Sequence, residues 1–162
     1  MSRQLQYAKQ QTEYSCGAAA IRNALIALKH PRVPSEKSII KIARTHKVHG
    51  TSDYKLKSAL KKFGVRIEEF EGYARESAML KWLRGELKKG RVVIATVDNE
   101  MHWLTIVGKL TRKFFVVDGE YEELPSLVTE REVIRRTTNV RDEVKQNYYY
   151  LLSVYLESPK VT

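Results

Sequence analysis

The chain has 162 residues, of which 43% are hydrophobic and 30% charged. That is the balance of one globular domain, residues 1–162, with enough apolar side chains for a sizeable core. No window approaches the roughly 18 apolar residues of a membrane span, the N-terminal residues carry no apolar signal segment, and a single cysteine excludes an internal disulfide and the multi-cysteine zinc sites.

One cysteine also fits a reducing, cytoplasmic setting. The net charge of +10 points to an acidic partner, such as nucleic acid, an anionic membrane surface or an acidic protein. Yet acidic residues lie between many of the basic ones, and no aromatic–basic motif of a nucleic-acid module is present. A solvated basic surface is the simpler account. No cofactor or metal is expected, and the oligomeric state is not legible.

Residues 3–9 alternate Leu5 and Tyr7 with polar neighbours, as in a lead-in strand or an extended arm. After Cys16 the period changes. Ala18, Ile21, Leu25 and Leu28 fall on one helical face, and His30-Pro31 ends that helix. Pro34-Ser35-Glu36 starts a second helix, reaching about His46. Thr51 or Ser52 caps a third, which ends at Phe63 before Gly64. Val65 to Ile67, with Phe70, reads as a short strand. Ser77 is placed to cap a fourth helix, weakened slightly by Gly85.

The second half is strand-rich. Residues 91–97, 102–110 and 113–118 are three apolar runs with short links, so antiparallel pairing is expected. One short helix is expected near 129–136, a poor strand over 140–147 and a final strand over 148–156. The fold class is therefore α+β. A helical N-terminal part, with the cysteine-bearing helix at its centre, packs on an antiparallel sheet from the C-terminal half.

Cys16 stands where a polar loop becomes a helix. The helix N-terminus favours thiolate there, although a free cysteine is commonly only a small buried hydrophobe. A nucleophile needs a base, a group to orient the base, and oxyanion donors. Among four histidines, His30, His46 and His49 sit at helix exits or in a loop and read as structural or solvent-facing. His102 opens a strand after the polar turn 98–101, where an imidazole can project into a cleft. Asp118 ends the next strand. In a hairpin it lies beside His102 and can fix its tautomer; by itself, Asp118-Gly119 would be a turn pair. The Cys16 N–H can donate to an oxyanion. A second donor is available from Gln10 or Gln11, between which the pattern alone does not choose.

Together these residues resemble the papain-like cysteine peptidases, and within them the bacteriocin-processing (double-glycine leader) peptidases and their standalone relatives. Gln10 precedes Cys16-Gly17-Ala18-Ala19 by six residues, with Tyr14 two before the cysteine. His102-Trp103-Leu104 matches the family's histidine strand, and Asp118 follows sixteen residues on. Gly50-Thr51-Ser52 before a helix ending at Gly64 is similar to a recurrent family feature. Gly119 departs from a frequent proline. The resemblance spans roughly residues 4–156 and selects Gln10 over Gln11. It implies a cysteine peptidase acting on a peptide or protein, with Cys16 as nucleophile, His102 as base, Asp118 as orienting group and Gln10 in the oxyanion hole. The alternative is a non-enzymatic or acyl-transferring module of the same fold, whose basic surface binds an acidic partner such as nucleic acid.

Overall fold

The structure is a computed structural model and describes residues 6–120, 125–141 and 146–157. Helix α1 runs Cys16–Ala27, α2 Glu36–Ala43, α3 Asp53–Lys62, α4 Glu76–Lys88 and α5 Glu130–Thr137. The strands are β1 (Arg66–Tyr73), β2 (Val92–Val97), β3 (His102–Leu110), β4 (Lys113–Val117), β5 (Ser126–Thr129), β6 (Asn139–Arg141) and β7 (Gln146–Tyr155). They form one sheet in the order β1-β7-β2-β3-β4-β5, with β6 also on β7. All pairings are antiparallel. The α+β class and the antiparallel sheet agree with expectation, and the cysteine-bearing helix lies against the sheet centre. No helix among the described residues is long and apolar enough to cross a membrane.

The helices do not share one side of the sheet. Ala18, Ala20, Ile21, Leu25, Leu56 and Leu60 of α1 and α3 pack with Val92, Ile94, Tyr150 and Leu152. Met79, Leu83 and Leu87 of α4 and Val133 of α5 pack with Val93, Ala95, Val97, Tyr149 and Leu151. Alternate residues of β2 and β7 thus serve opposite cores, because successive strand side chains point to opposite faces. With both faces covered, β2 is buried throughout and reads as an unbroken apolar run rather than an alternating one.

Several boundaries differ from expectation for local reasons. Helix α2 stops at Ala43, where Arg44 turns left-handed with φ 50°. His46 instead forms a bridge with Gly50. Ser52, not Thr51, caps α3 through the Lys55 N–H. Helix α4 begins at Glu76, which puts Ser77 inside its first turn. Strand β1 extends to Tyr73 as a solvent-facing edge, so its glutamates are tolerated. Strands β5 and β6, four and three residues long, escape notice because so few residues carry each period. Residues 3–5 and 142–145 of the predicted segments lie outside the described residues.

The arm over residues 6–10 forms no strand. Buried Asn23 of α1 holds it, accepting from the Ala8 N–H at 2.7 Å and donating to the Ala8 carbonyl at 3.0 Å. Thr105 of β3 donates to the Ala20 carbonyl at 2.9 Å, which fastens the middle of α1 to the strand that begins at His102. Small Ala18, Ala20 and Ala24 allow that close approach.

Candidate active site

Cys16 is the first residue of α1 and is partly buried. The Ala19 N–H is bonded to the Ser15 carbonyl. The N–H groups of Cys16, Gly17 and Ala18 come earlier, and by helix geometry they have no intrahelical acceptor. The preceding loop is held from inside. Ser15 is fully buried; its hydroxyl accepts from the Thr12 N–H and donates to the Thr12 carbonyl, both at 3.0 Å. Buried Glu36 accepts from the Gln11 N–H at 2.8 Å. Burial pushes the Glu36 carboxyl above its ordinary range, while the Gln11 and Ser15 bonds and the Arg22 charge pull it back only in part. Gly17 is required by contact, since a Cβ there would lie 2.9 Å from Thr51 Cβ. Trp103, next to His102, donates to the Thr51 carbonyl at 3.0 Å.

His102 pairs with Val97 across the β2–β3 turn and is buried. Its Nε2 lies 2.7 Å from Asp118 Oδ1. The Cys16 side chain lines the same groove as the ring. Burial favours the neutral imidazole, but the Asp118 bond and charge, helped by Cys16, outweigh it. The His102 pKa is pushed up to about 10, so the ring is an imidazolium at neutral pH. Asp118 shows the converse. Burial alone would raise its carboxyl, but the His102 bond and charge, the Glu120 N–H and Arg136 hold it below the usual carboxylate range.

Gln10 sits beside this pair. Its Nε2 donates to the Thr12 carbonyl at 2.9 Å, and its backbone N–H donates to the Gly119 carbonyl at 2.8 Å. Gln10, Cys16 and His102 line one open groove of about 700 Å³, with Glu13, Asp98, Met101 and Glu120 also in its walls. A second hollow of about 250 Å³ continues past Cys16 toward Tyr14, His49, Glu100 and Trp103. Among the described residues, neither wall contains a lysine or arginine.

The four residues singled out from the sequence thus come together. Gln11 is exposed and contributes its backbone N–H to Glu36. The other three histidines have local partners: His30 bonds the carbonyls of Arg32 and Phe63, and His46 stacks on His49. His102, Asp118 and Glu120 place ligand atoms within 4.8 Å of one another and are the described residues that could converge on a cation. Because Nε2 and Oδ1 already bond each other, the grouping is first of all an acid–base pair.

Sequence reasoning missed Arg136. Its Nη1 donates to Asp118 Oδ2 at 3.0 Å, and Nη2 donates to Asp98 Oδ2 at 2.8 Å. Burial works against the guanidinium charge, but the two carboxylates outweigh it and hold its pKa above the ordinary value. The one available signal was a basic last turn on a short amphipathic helix, which says nothing about a partner 18 residues away.

The sequence profile of the peptidase C39 family matches residues 4–132. The chain belongs to the peptidase C39 family. It is a papain-like cysteine peptidase, as the resemblance implied. No curated protein sequence matches it. Solved C39 structures share its fold at low identity. The peptidase domain of Streptococcus ComA, a bifunctional ABC transporter of a quorum-sensing pathway, is 13% identical with a TM-score of 0.67, covering 95% of this chain and 100% of that one. A double-glycine-motif protease from an AMS/PCAT transporter, solved with its leader peptide, is 17% identical with a TM-score of 0.62, covering 91% and 89%. A C39-like peptidase from Bacillus anthracis is 10% identical with a TM-score of 0.63, covering 96% of each.

Proposed function

We propose that this C39 peptidase cleaves a peptide bond through a Cys16–His102–Asp118 triad, with Gln10 and the Cys16 N–H as oxyanion donors. The observation that supports the reading is the 2.7 Å bond from His102 to Asp118 beside a groove that Cys16, His102 and Gln10 line together. The Cys16 thiolate attacks the scissile carbonyl carbon. The negative charge on the carbonyl oxygen is met by the Cys16 N–H and by the Gln10 amide, which has an N–H beyond the one held by Thr12. The C–N bond breaks as the His102 imidazolium gives its proton to the leaving amine. Neutral His102 then takes a proton from water, the water oxygen attacks the thioester, and the thiolate leaves. Asp118 keeps the imidazole in the tautomer and orientation that both steps use.

The substrate is a peptide, as for the leader-bound relative, and the groove is roomy enough for an extended segment. Its described walls favour a neutral or basic segment over an acidic one, because Glu13 and Glu120 face it and no lysine or arginine is among the described lining residues. The reading of a module that holds an acidic partner by net charge gains nothing from this groove.

The test is the reactivity of Cys16 toward iodoacetamide or a vinyl-sulfone probe. Labelling faster than a free thiol at neutral pH, and slowed by His102→Ala, is the expected result. A rate equal to that of a free thiol and indifferent to His102→Ala would exclude the proposed nucleophile.

A further inference from the structure

The turn that delivers His102 is built from backbone that should not hold itself. Asp98, Asn99 and Glu100 have φ of 54°, 58° and 64°, three consecutive non-glycine residues in the left-handed region. Such a conformation is strained for residues with a side chain, less so for Asp and Asn, so it persists only if its surroundings impose it. The surroundings are one short segment, from the last turn of α5 into β6. The Arg136 carbonyl accepts from the Asp98 N–H at 3.0 Å. Asn139 Oδ1 accepts from the Glu100 N–H at 2.8 Å, and Asn99 Oδ1 accepts from the Val140 N–H at 3.3 Å. Asn139 is itself buried, with its Nδ2 directed at the Thr137 and Tyr148 carbonyls. The Arg136 guanidinium then joins this turn to the other half of the acid–base pair, since one of its arms is on Asp98 and the other on Asp118. Arg136 and Asn139 lie beyond the residues matched by the family profile, which end at 132.

We infer that Arg136 and Asn139 are positioning residues for the peptidase reaction: Arg136 locks Asp118 and the 98–101 turn into one frame, and Asn139 imposes the left-handed turn from which His102 emerges. The inference rests on the Cys16–His102–Asp118 reading. Arg136 touches neither the thiol nor the imidazole and acts only through Asp118 and Asp98.

Charge and position predict opposite signs at His102. Were Arg136 only a nearby positive charge, its removal would leave Asp118 in place, strengthen the negative potential at the imidazole and raise the His102 pKa. If Arg136 aims Asp118, its removal loosens the Asp118 bond and the pKa falls toward the ordinary histidine value. The charged and titratable groups facing the ring are Asp118 from the end of β4, Cys16 from α1, and Glu120 at 3.9 Å. Replacing Cys16 with alanine leaves the two carboxylates.

The experiment is an NMR titration of the histidine rings in the full chain, in a Cys16→Ala background, with and without Arg136→Met. The expected result is a downward move of the His102 midpoint by about one pH unit or more, a smaller one for Arg136→Lys, and a thermal midpoint that still reports a folded protein. With Cys16 restored, Arg136→Met should also slow iodoacetamide labelling at neutral pH several-fold. Should Arg136→Met not fold, Arg136→Lys decides instead, because it keeps the positive charge but loses the two-armed fork: a charge-only role leaves the midpoint unchanged, whereas the positioning role lowers it. An unchanged or raised midpoint in a folded variant overturns the positioning role. Failure of the underlying triad looks different: His102→Ala then leaves the labelling rate of Cys16 unaltered whatever Arg136 does.

Discussion

The thiol and the imidazole are carried by two short stretches that are held by different physics. The loop over residues 10–16 is fixed from within the protein: buried Ser15, buried Glu36 and the Asn23 clamp on the arm satisfy its backbone groups away from water. The turn over residues 98–101 is fixed by the buried amide of Asn139 and, toward solvent, by ion pairs of half-buried Arg136 with Asp98 and of exposed Arg141 with Glu100 at 3.0 Å. Buried polar bonds are costly to break and indifferent to salt. Exposed ion pairs are weak and screened. The position of Cys16 should therefore be robust to conditions, and that of His102 more responsive to them.

The largest effects come where the two stretches meet. Cys16→Ala should abolish peptide cleavage, and His102→Ala should reduce it by on the order of 10⁴-fold or more, both read in a turnover assay with the fold checked by circular dichroism. Gln10→Ala removes one oxyanion donor of the proposed mechanism. It should lower kcat by on the order of a hundredfold or more while leaving iodoacetamide labelling of Cys16 unchanged, because alkylation forms no oxyanion. A loss of labelling would mean that Gln10 holds the thiol loop instead.

Next in size, Glu36→Ala leaves the Gln11 N–H without its buried acceptor. It should destabilise the chain by about 1–3 kcal/mol in urea unfolding, to the same extent at low and high salt. A pH effect belongs to the other stretch. The His102 pKa is raised from 6.5 to about 10 in the folded chain. Its contribution to stability is therefore complete below pH 6.5 and fades as pH rises through about 10. His102→Ala should flatten the alkaline side of the stability profile. The smallest effect is that of Arg141→Ala, which cuts an exposed pair and should cost under about 1 kcal/mol, vanishing in about 0.5 M salt. A salt-dependent Glu36→Ala or a salt-independent Arg141→Ala would remove the contrast between the two stretches.

How much of this was legible follows from the range of each signal. Cys16 could be read because the change from polar loop to helical period is local. His102 and Asp118 could be read because a two-strand hairpin brings a strand's start beside its neighbour's end. Which face of the sheet a helix takes has no such marker. Met79, Leu83 and Leu87 make an apolar stripe whether α4 joins α1 or lies opposite it. Arg136, Asn139 and Glu36 were hidden for a related reason. Each is a polar residue whose meaning lies in a partner 18 to 39 positions away, and composition treats it as surface. The left-handed run at 98–100 gave no glycine to mark it.

Gly119 links the two stretches in a further way. Its carbonyl receives the Gln10 N–H, and a Cβ on it would stand 2.9 Å from Ala19 Cβ and 3.4 Å from Gln10 N. Positions 19 and 119 therefore share a fixed volume. A proline after the aspartate would keep the accepting carbonyl, but its ring carries the Cβ that Ala19 excludes. Gly119→Pro should be tolerated far better when paired with Ala19→Gly than when made alone, so these two positions are expected to vary in compensation.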